Sequence, residues 1–76
     1  MIDLSEIRRL AGVTQVQLAA ALNTSQGQIS RIERQSDMLL STLSAYLTAL
    51  GTSARLTINV TGQTVEHDLT PKGKAR

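Results

Sequence analysis

The chain has 76 residues, a net charge of +2, one histidine and no cysteine. This length allows one small domain with a thin stability margin, and the lack of cysteine excludes disulfides, thiolate zinc sites and thiol nucleophiles and favours a cytoplasmic location. No apolar run approaches the roughly 18 residues needed to span a bilayer and the N-terminus is charged, so we expect neither membrane insertion nor secretion.

The first two predicted helices have clear start signals. DLSEIRRLAG, residues 3–12, predicts a short helix that begins after Asp3, and its apolar residues recur at helical spacing: Leu4, Ile7, Leu10 and Ala11. A second helix follows Thr14, which is predicted to form a capping box with Gln17. Its apolar face consists of Leu18, Ala19 and Leu22.

A third helix follows after a short turn. Asn23 tolerates the left-handed conformation that ends a helix, and Ser25 with Gln28 repeats the capping-box pattern. Ile29 and Ile32 supply the apolar stripe of this helix. Two short helices separated by about three residues have the spacing of a helix-turn-helix.

The rest of the chain changes period. Residues 36–51 predict a fourth helix ending at Gly51, with an apolar stripe of Leu40, Leu43, Tyr46, Leu47 and Leu50. A strand pattern follows, in which Leu56, Ile58 and Val60 alternate with polar residues, then a turn at TGQT and a weaker strand around Val65. An isolated hairpin is marginal in water, so we expect this segment to form a homodimer contact through Leu56, Ile58 and Val60.

The sequence therefore predicts a mainly α protein with three parts. Residues 1–51 form a small four-helix DNA-binding bundle, residues 52–70 a C-terminal β-strand or hairpin used for dimerisation, and residues 71–76 a flexible basic tail.

The polar start of the third helix is the candidate functional surface. In helix-turn-helix proteins the N-terminal residues of the second motif helix meet base edges in the major groove. The candidate base-contacting residues are therefore Gln26, Gly27, Gln28 and Arg31, and glutamine and arginine match adenine and guanine respectively. Gly27 costs the helix about 1 kcal/mol relative to alanine, which makes sense if the groove wall or a neighbouring glutamine needs the room. An exposed polar face without a ligand is the alternative.

Two further expectations concern the neighbouring helices. Gln15 begins the second helix, where free amides and the helix dipole suit a phosphate, although a simple cap is the alternative. Arg8 and Glu33 are opposite in charge and adjoin apolar positions. They are expected to pair across the bundle, with a solvated surface location as the alternative.

The segment TQVQLAAALNTSQGQISRIE closely resembles the XRE family of helix-turn-helix regulators, which includes the lambdoid phage repressors and Cro. The family pattern is TQxxLA, a short turn, SQxxIS and then RIE, and the likeness covers about residues 4–51. It implies DNA base contacts from Gln26, Gly27, Gln28 and Arg31, of which Gln28 is ambiguous between base and phosphate. It implies phosphate contacts from Gln15, Ser25, Arg34 and Gln35, and an internal ion pair between Arg8 and Glu33. Asn23 replaces the usual glycine, and ERQSDM replaces the usual ENG-type loop near Arg34 and Gln35.

The fourth helix running into a strand is similar to antitoxins of the HigA and HipB types. This likeness implies a homodimeric repressor that binds a palindromic double-stranded DNA operator, represses its own operon and neutralises a cognate toxin. A phage-type repressor or Cro-like switch without a toxin is the first alternative, and a protein-interaction module that has lost DNA binding is the second. We expect no metal and no cofactor, because His67 has no second histidine or cysteine with which to share a metal. We expect no enzymatic activity, because the sequence has no metal cluster, no phosphate-cradling glycine loop and no partner for a nucleophilic serine beyond this one histidine.

Overall fold

The computed structural model describes residues 2–70, so the predicted basic tail at 71–76 lies outside the described residues. Four helices are followed by one antiparallel strand pair, which confirms the predicted fold class. No helix among residues 2–70 is long and apolar enough to cross a membrane. The elements are α1 (Leu4–Leu10), α2 (Gln15–Ala21), α3 (Gln26–Arg34), α4 (Leu40–Ala49), β1 (Arg55–Val60) and β2 (Gln63–Asp68).

Side-chain caps fix the starts of α1, α2 and α3, whereas α4 begins after Leu39 without one. At α2 the capping box is complete, because the Gln17 amide donates to Thr14 Oγ1 at 3.0 Å and the Thr14 amide donates to Gln17 Oε1 at 2.9 Å. At α3 only half of the predicted box forms. The Gln28 amide donates to Ser25 Oγ at 3.1 Å, and within residues 2–70 the Gln28 side chain makes no return bond to the Ser25 amide.

The turn between α2 and α3 depends on Asn23, which adopts the left-handed conformation with φ 57°. The Asn23 amide donates to Ala20 O at 3.2 Å and the Thr24 amide to Ala19 O at 2.9 Å, so two carbonyls in the last turn of α2 are satisfied. Asparagine is one of the few residues other than glycine that accepts this backbone geometry at low cost. The turn therefore places α3 directly after α2, as a helix-turn-helix requires.

All four helices contribute to one apolar core. Its buried members are Leu4, Leu18, Ala19, Ile29, Ile32, Tyr46, Leu47 and Leu50. The predicted apolar stripe of α1 is wrong at Leu10, which is 81% exposed, and at Ala11, which caps the helix and is exposed as well. The buried face of this two-turn helix passes through Leu4 and Arg8, four residues apart, and Leu10 points away from that face.

The two strands form a hairpin within one chain. Ile58 lies opposite Val65, and every residue of both strands is exposed. The turn is shorter than the predicted TGQT, because Gln63 and Thr64 already belong to β2. Thr61 and Gly62 alone connect the strands, with φ values of 44° and 85°, which is the pattern of a type I′ turn.

Candidate nucleic-acid interface

The face of α3 opposite the core carries the polar residues predicted to meet DNA. Ile29 and Ile32 are buried, and the helical repeat places Gly27, Arg31 and Arg34 on the opposite face. All three are exposed. The two predicted glutamine readers, Gln26 and Gln28, flank this face and are also exposed. The candidate base-contacting residues are thus accessible on one side of the molecule.

A buried carboxylate lies beneath this surface. Arg8 Nε donates to Glu33 Oε2 at 2.6 Å, so the expected ion pair between α1 and α3 is present, and its side chains are only 10% and 5% exposed. Arg8 also donates from Nη1 to the Val13 carbonyl at 3.0 Å. The Tyr46 hydroxyl donates to the same Oε2 at 2.6 Å from α4. Glu33 therefore joins three helices at the base of the candidate interface.

The other carboxylate oxygen of Glu33, Oε1, is connected by hydrogen bonds to the two glutamines predicted to contact DNA. Gln15 Nε2 donates to Glu33 Oε1 at 3.0 Å, and Gln26 Nε2 donates to Gln15 Oε1 at 3.1 Å. An ionised carboxylate only accepts hydrogen bonds, so the Gln15 amide must turn its NH₂ group inward and its oxygen toward Gln26. The direction of both amides is therefore set by the buried charge.

This orientation determines what the glutamines can still bind. Gln26 retains one N–H and its carbonyl oxygen, the donor and acceptor that match N7 and N6 of an adenine in the major groove. Gln15 retains one N–H, which can donate to a phosphate oxygen. The same two side chains that were predicted from sequence to contact bases and backbone are thus connected to each other before any ligand is present.

The charge state of Glu33 follows from these contacts. Burial alone would raise its pKa, but hydrogen bonds from Arg8, Tyr46 and Gln15 outweigh burial and lower the pKa below its ordinary value. Burial, together with the carboxylate of Glu33, raises the pKa of the Tyr46 phenol well above its ordinary value. Glu33 is therefore ionised and Tyr46 is a neutral donor at neutral pH.

The space around Gly27 is open in the free chain. Apart from its chain neighbours Gln26 and Gln28, a Cβ at this position would have one side-chain atom within 4 Å, Ser25 Oγ at 3.9 Å. A side chain here would therefore not collide with the rest of the fold. Room for a groove wall or for a neighbouring glutamine stays the prediction that explains the missing side chain.

The remaining predicted contacts have different surroundings. Ser25 caps α3 with its hydroxyl, while Arg34 ends α3 and Gln35 follows in extended conformation, both exposed. A concave surface adjoins Gln15 and Gln26, where the exposed Arg9 and Val16 also lie. Contacts of all these residues with DNA stay predictions.

Sequence reasoning missed the role of Tyr46. The sequence pattern predicts Tyr46 only as part of the apolar stripe of α4, and its side chain is indeed fully buried. A signal was present, because Tyr46 is the only aromatic residue of the chain and a buried tyrosine hydroxyl usually finds a polar partner. Its partner could not be identified without knowing that α4 crosses the Arg8–Glu33 pair.

Comparisons with known proteins agree with this geometry. The family described as Helix-turn-helix (HTH_3) matches residues 4–56, which is more than half of the chain. The chain is also similar to a solved structure of a HigA antitoxin, reported for induced DNA bending by unique dimerization. That likeness has a TM-score of 0.76 and 35% sequence identity, and covers 88% of this chain and 93% of the other. Among curated proteins none matches this chain. The chain belongs to the XRE-type helix-turn-helix family of DNA-binding regulators.

Proposed function

We propose that this chain is a homodimeric, sequence-specific DNA-binding repressor and the antitoxin of a toxin–antitoxin pair. In this role it binds a palindromic operator in its own promoter and neutralises the toxin encoded beside it. The observation that carries the DNA-binding part is the exposed, polar N-terminal half of α3, held to the core through Gln26, Gln15 and Glu33. The likeness of this chain to a HigA antitoxin, which covers 88% of this chain and 93% of the other, supports the antitoxin part.

Recognition of the operator combines two kinds of contact. Gln26 and Arg31 supply base contacts, with Gly27 allowing close approach of α3 and Gln28 contacting a base or a phosphate. Gln15, Ser25, Arg34 and Gln35 supply the backbone contacts that fix orientation without reading sequence. Each good bidentate pair contributes roughly 1–3 kcal/mol of discrimination between bases.

The hairpin supplies the dimer contact. On one face, Leu56, Ile58, Val60 and Val65 are between 36% and 55% exposed. The opposite face is polar and internally paired, because Arg55 contacts Asp68 at 3.2 Å and Glu66 at 3.4 Å. A second copy that covers the apolar face presents two α3 helices to successive major grooves, about 34 Å apart or a multiple of that spacing.

Selection of binding sites from random duplex DNA tests the DNA-binding part. The wild type is expected to select a palindrome, and Arg31→Ala to lose preference at one base position in each half-site. Arg55→Ala is the matched control, since it also removes one exposed arginine, but from the hairpin. Absence of sequence preference in the wild type, or an unchanged preference in Arg31→Ala, would contradict the proposal.

Co-expression with the product of the adjacent open reading frame tests the antitoxin part. We expect the neighbour to arrest growth alone, to co-purify with this chain and to lose its toxicity when both are present. A reporter driven by the promoter of the pair should be repressed by the wild type and not by Arg31→Ala. A neighbour that is harmless and does not bind would instead favour a repressor without a toxin.

A further inference from the structure

We propose that Tyr46 is a positioning residue for base recognition: through Glu33 and Gln15, its hydroxyl controls how Gln26 is presented to DNA. The inference rests on the proposed DNA-binding function and extends it to α4, a helix outside the helix-turn-helix motif. Tyr46 is fully buried and does not itself touch DNA. Its effect therefore has to pass through side chains that reach the surface.

The first step is the uneven pairing of Arg8 and Glu33. Arg8 Nε lies 2.6 Å from Glu33 Oε2, whereas Arg8 Nη2 lies 3.4 Å from Oε1. An unconstrained arginine–carboxylate pair prefers two parallel hydrogen bonds of similar length. The pair is skewed here because each carboxylate oxygen has another donor, Tyr46 on Oε2 and Gln15 on Oε1.

The second step concerns which groups donate hydrogen bonds to Glu33 Oε2. Tyr46 also lies 3.1 Å from the Leu4 carbonyl oxygen, but its single proton goes to the closer and charged acceptor, Glu33. With Arg8 and Tyr46 both donating to Oε2, this oxygen is occupied and Oε1 is left for Gln15. The hydroxyl thus fixes the rotation of the carboxylate.

The third step carries this rotation to the surface. Gln15 contacts Glu33 at 3.0 Å with its NH₂ group and accepts from Gln26 at 3.1 Å with its oxygen. Without the hydroxyl, Arg8 can form the even, two-bond pair and draw Oε1 away from Gln15. The Gln15 amide then loses the contact that sets its direction, and Gln26 can present either amide end to a base.

Tyr46→Phe in the chain of 76 residues tests the inference, since it removes only one oxygen atom. We expect a folded protein whose preference at the base position read by Gln26 falls about threefold to tenfold, a partial loss of one bidentate contact. The side-chain amide signals of Gln15 and Gln26 in NMR spectra of the free protein should shift as well. Thr52→Val is the matched control, because it removes another part-buried hydroxyl, three residues after α4. This hydroxyl donates to Leu47 O at 2.9 Å and has no link to Glu33.

A double-mutant cycle separates positioning from simple loss of stability. In a Gln15→Ala background, Tyr46→Phe should produce no further change in base preference, because the connecting amide is already absent. Should Tyr46→Phe fail to fold, 3-fluorotyrosine labels Tyr46 alone, since it is the only tyrosine. The fluorinated phenol is a stronger donor and should shift the Gln15 amide signals in the folded protein.

The two proposals fail in different ways. If the wild type shows no sequence preference, the proposed DNA-binding function is wrong. If the wild type selects an operator while Tyr46→Phe keeps the same preference and the same glutamine signals, only the role of Tyr46 is overturned. Unchanged Gln15 signals in the fluorotyrosine protein would overturn it equally.

Discussion

At the scale of single residues, one buried carboxylate connects stability with the candidate interface. Glu33 has its charge balanced by Arg8 and its hydrogen bonds supplied by Tyr46 and Gln15. A buried ion pair of this kind adds little net stability, but removal of one member leaves an uncompensated charge. The pair is therefore better understood as a device that fixes the positions of side chains around it.

Arg8→Ala tests this view by leaving Glu33 buried without its cation. We expect the free energy of unfolding to fall by about 3–5 kcal/mol, measured by urea denaturation. Arg55→Ala is the control, because both ion pairs of Arg55 are about half exposed and such pairs contribute roughly 0–1 kcal/mol. Equal losses from the two substitutions would show that the Arg8–Glu33 pair is not buried in solution.

The raised pKa of the Tyr46 phenol predicts that the folded state loses stability in alkaline solution. Burial and then Glu33 raise its pKa in the folded state, whereas the unfolded phenol ionises near its ordinary value of about 10. The neutral phenol therefore makes its full contribution to the free energy of unfolding below a pH of about 10. This contribution is lost progressively as the pH rises above that value. Because Tyr46 is the only aromatic residue, phenolate absorbance reports on it alone. Phenolate that appears near pH 10 while the chain stays folded would contradict the expectation.

At the scale of helices and strands, local sequence signals were sufficient to predict the elements. Caps at Asp3, Thr14 and Ser25 and the apolar periodicity of each helix act within one or two turns, so they can be recognised without the tertiary structure. The link from Gln15 to Glu33 spans 18 residues and depends on how α2 packs against α3. The opposite charges of Arg8 and Glu33 predict an ion pair from the sequence. The Tyr46 hydroxyl that also donates to Glu33 could not be predicted, because this contact depends on how α4 packs against the pair.

The hairpin turn offers a test at this scale. Thr61 is β-branched yet has a φ of 44°, a conformation that costs free energy for such a side chain. Type I′ turns favour Asn-Gly, so Thr61→Asn should relieve this strain and stabilise the hairpin by up to about 1 kcal/mol. Thermal unfolding of both proteins at equal concentration measures the effect. A lower midpoint for Thr61→Asn would mean that Thr61 makes a stabilising contact that outweighs its backbone strain.

At the scale of the whole molecule, the helical part and the hairpin have different surfaces. The helical part contains the buried apolar core, although some of its apolar residues, such as Leu10 and Leu39, are exposed. In the hairpin every strand residue is exposed, so its apolar face is open, while its polar face is paired through Arg55, Glu66 and Asp68. Exposed apolar strands with open edges are associated with pairing to a second chain. A protein this small also gains stability when a second copy covers such a face.

Two neighbouring strand residues allow this proposed dimer contact to be tested without shortening the chain. Ile58 lies at the centre of the apolar face opposite Val65, whereas Thr57 lies on the polar face opposite Glu66. A lysine at position 58 would place a charge in the proposed interface, so Ile58→Lys should sediment as a monomer and bind the palindromic operator much more weakly. Thr57→Lys adds the same charge one residue earlier and should remain dimeric, since its side chain faces away from the partner. A dimer that survives Ile58→Lys, or one that is lost in both variants, would assign the contact to another surface.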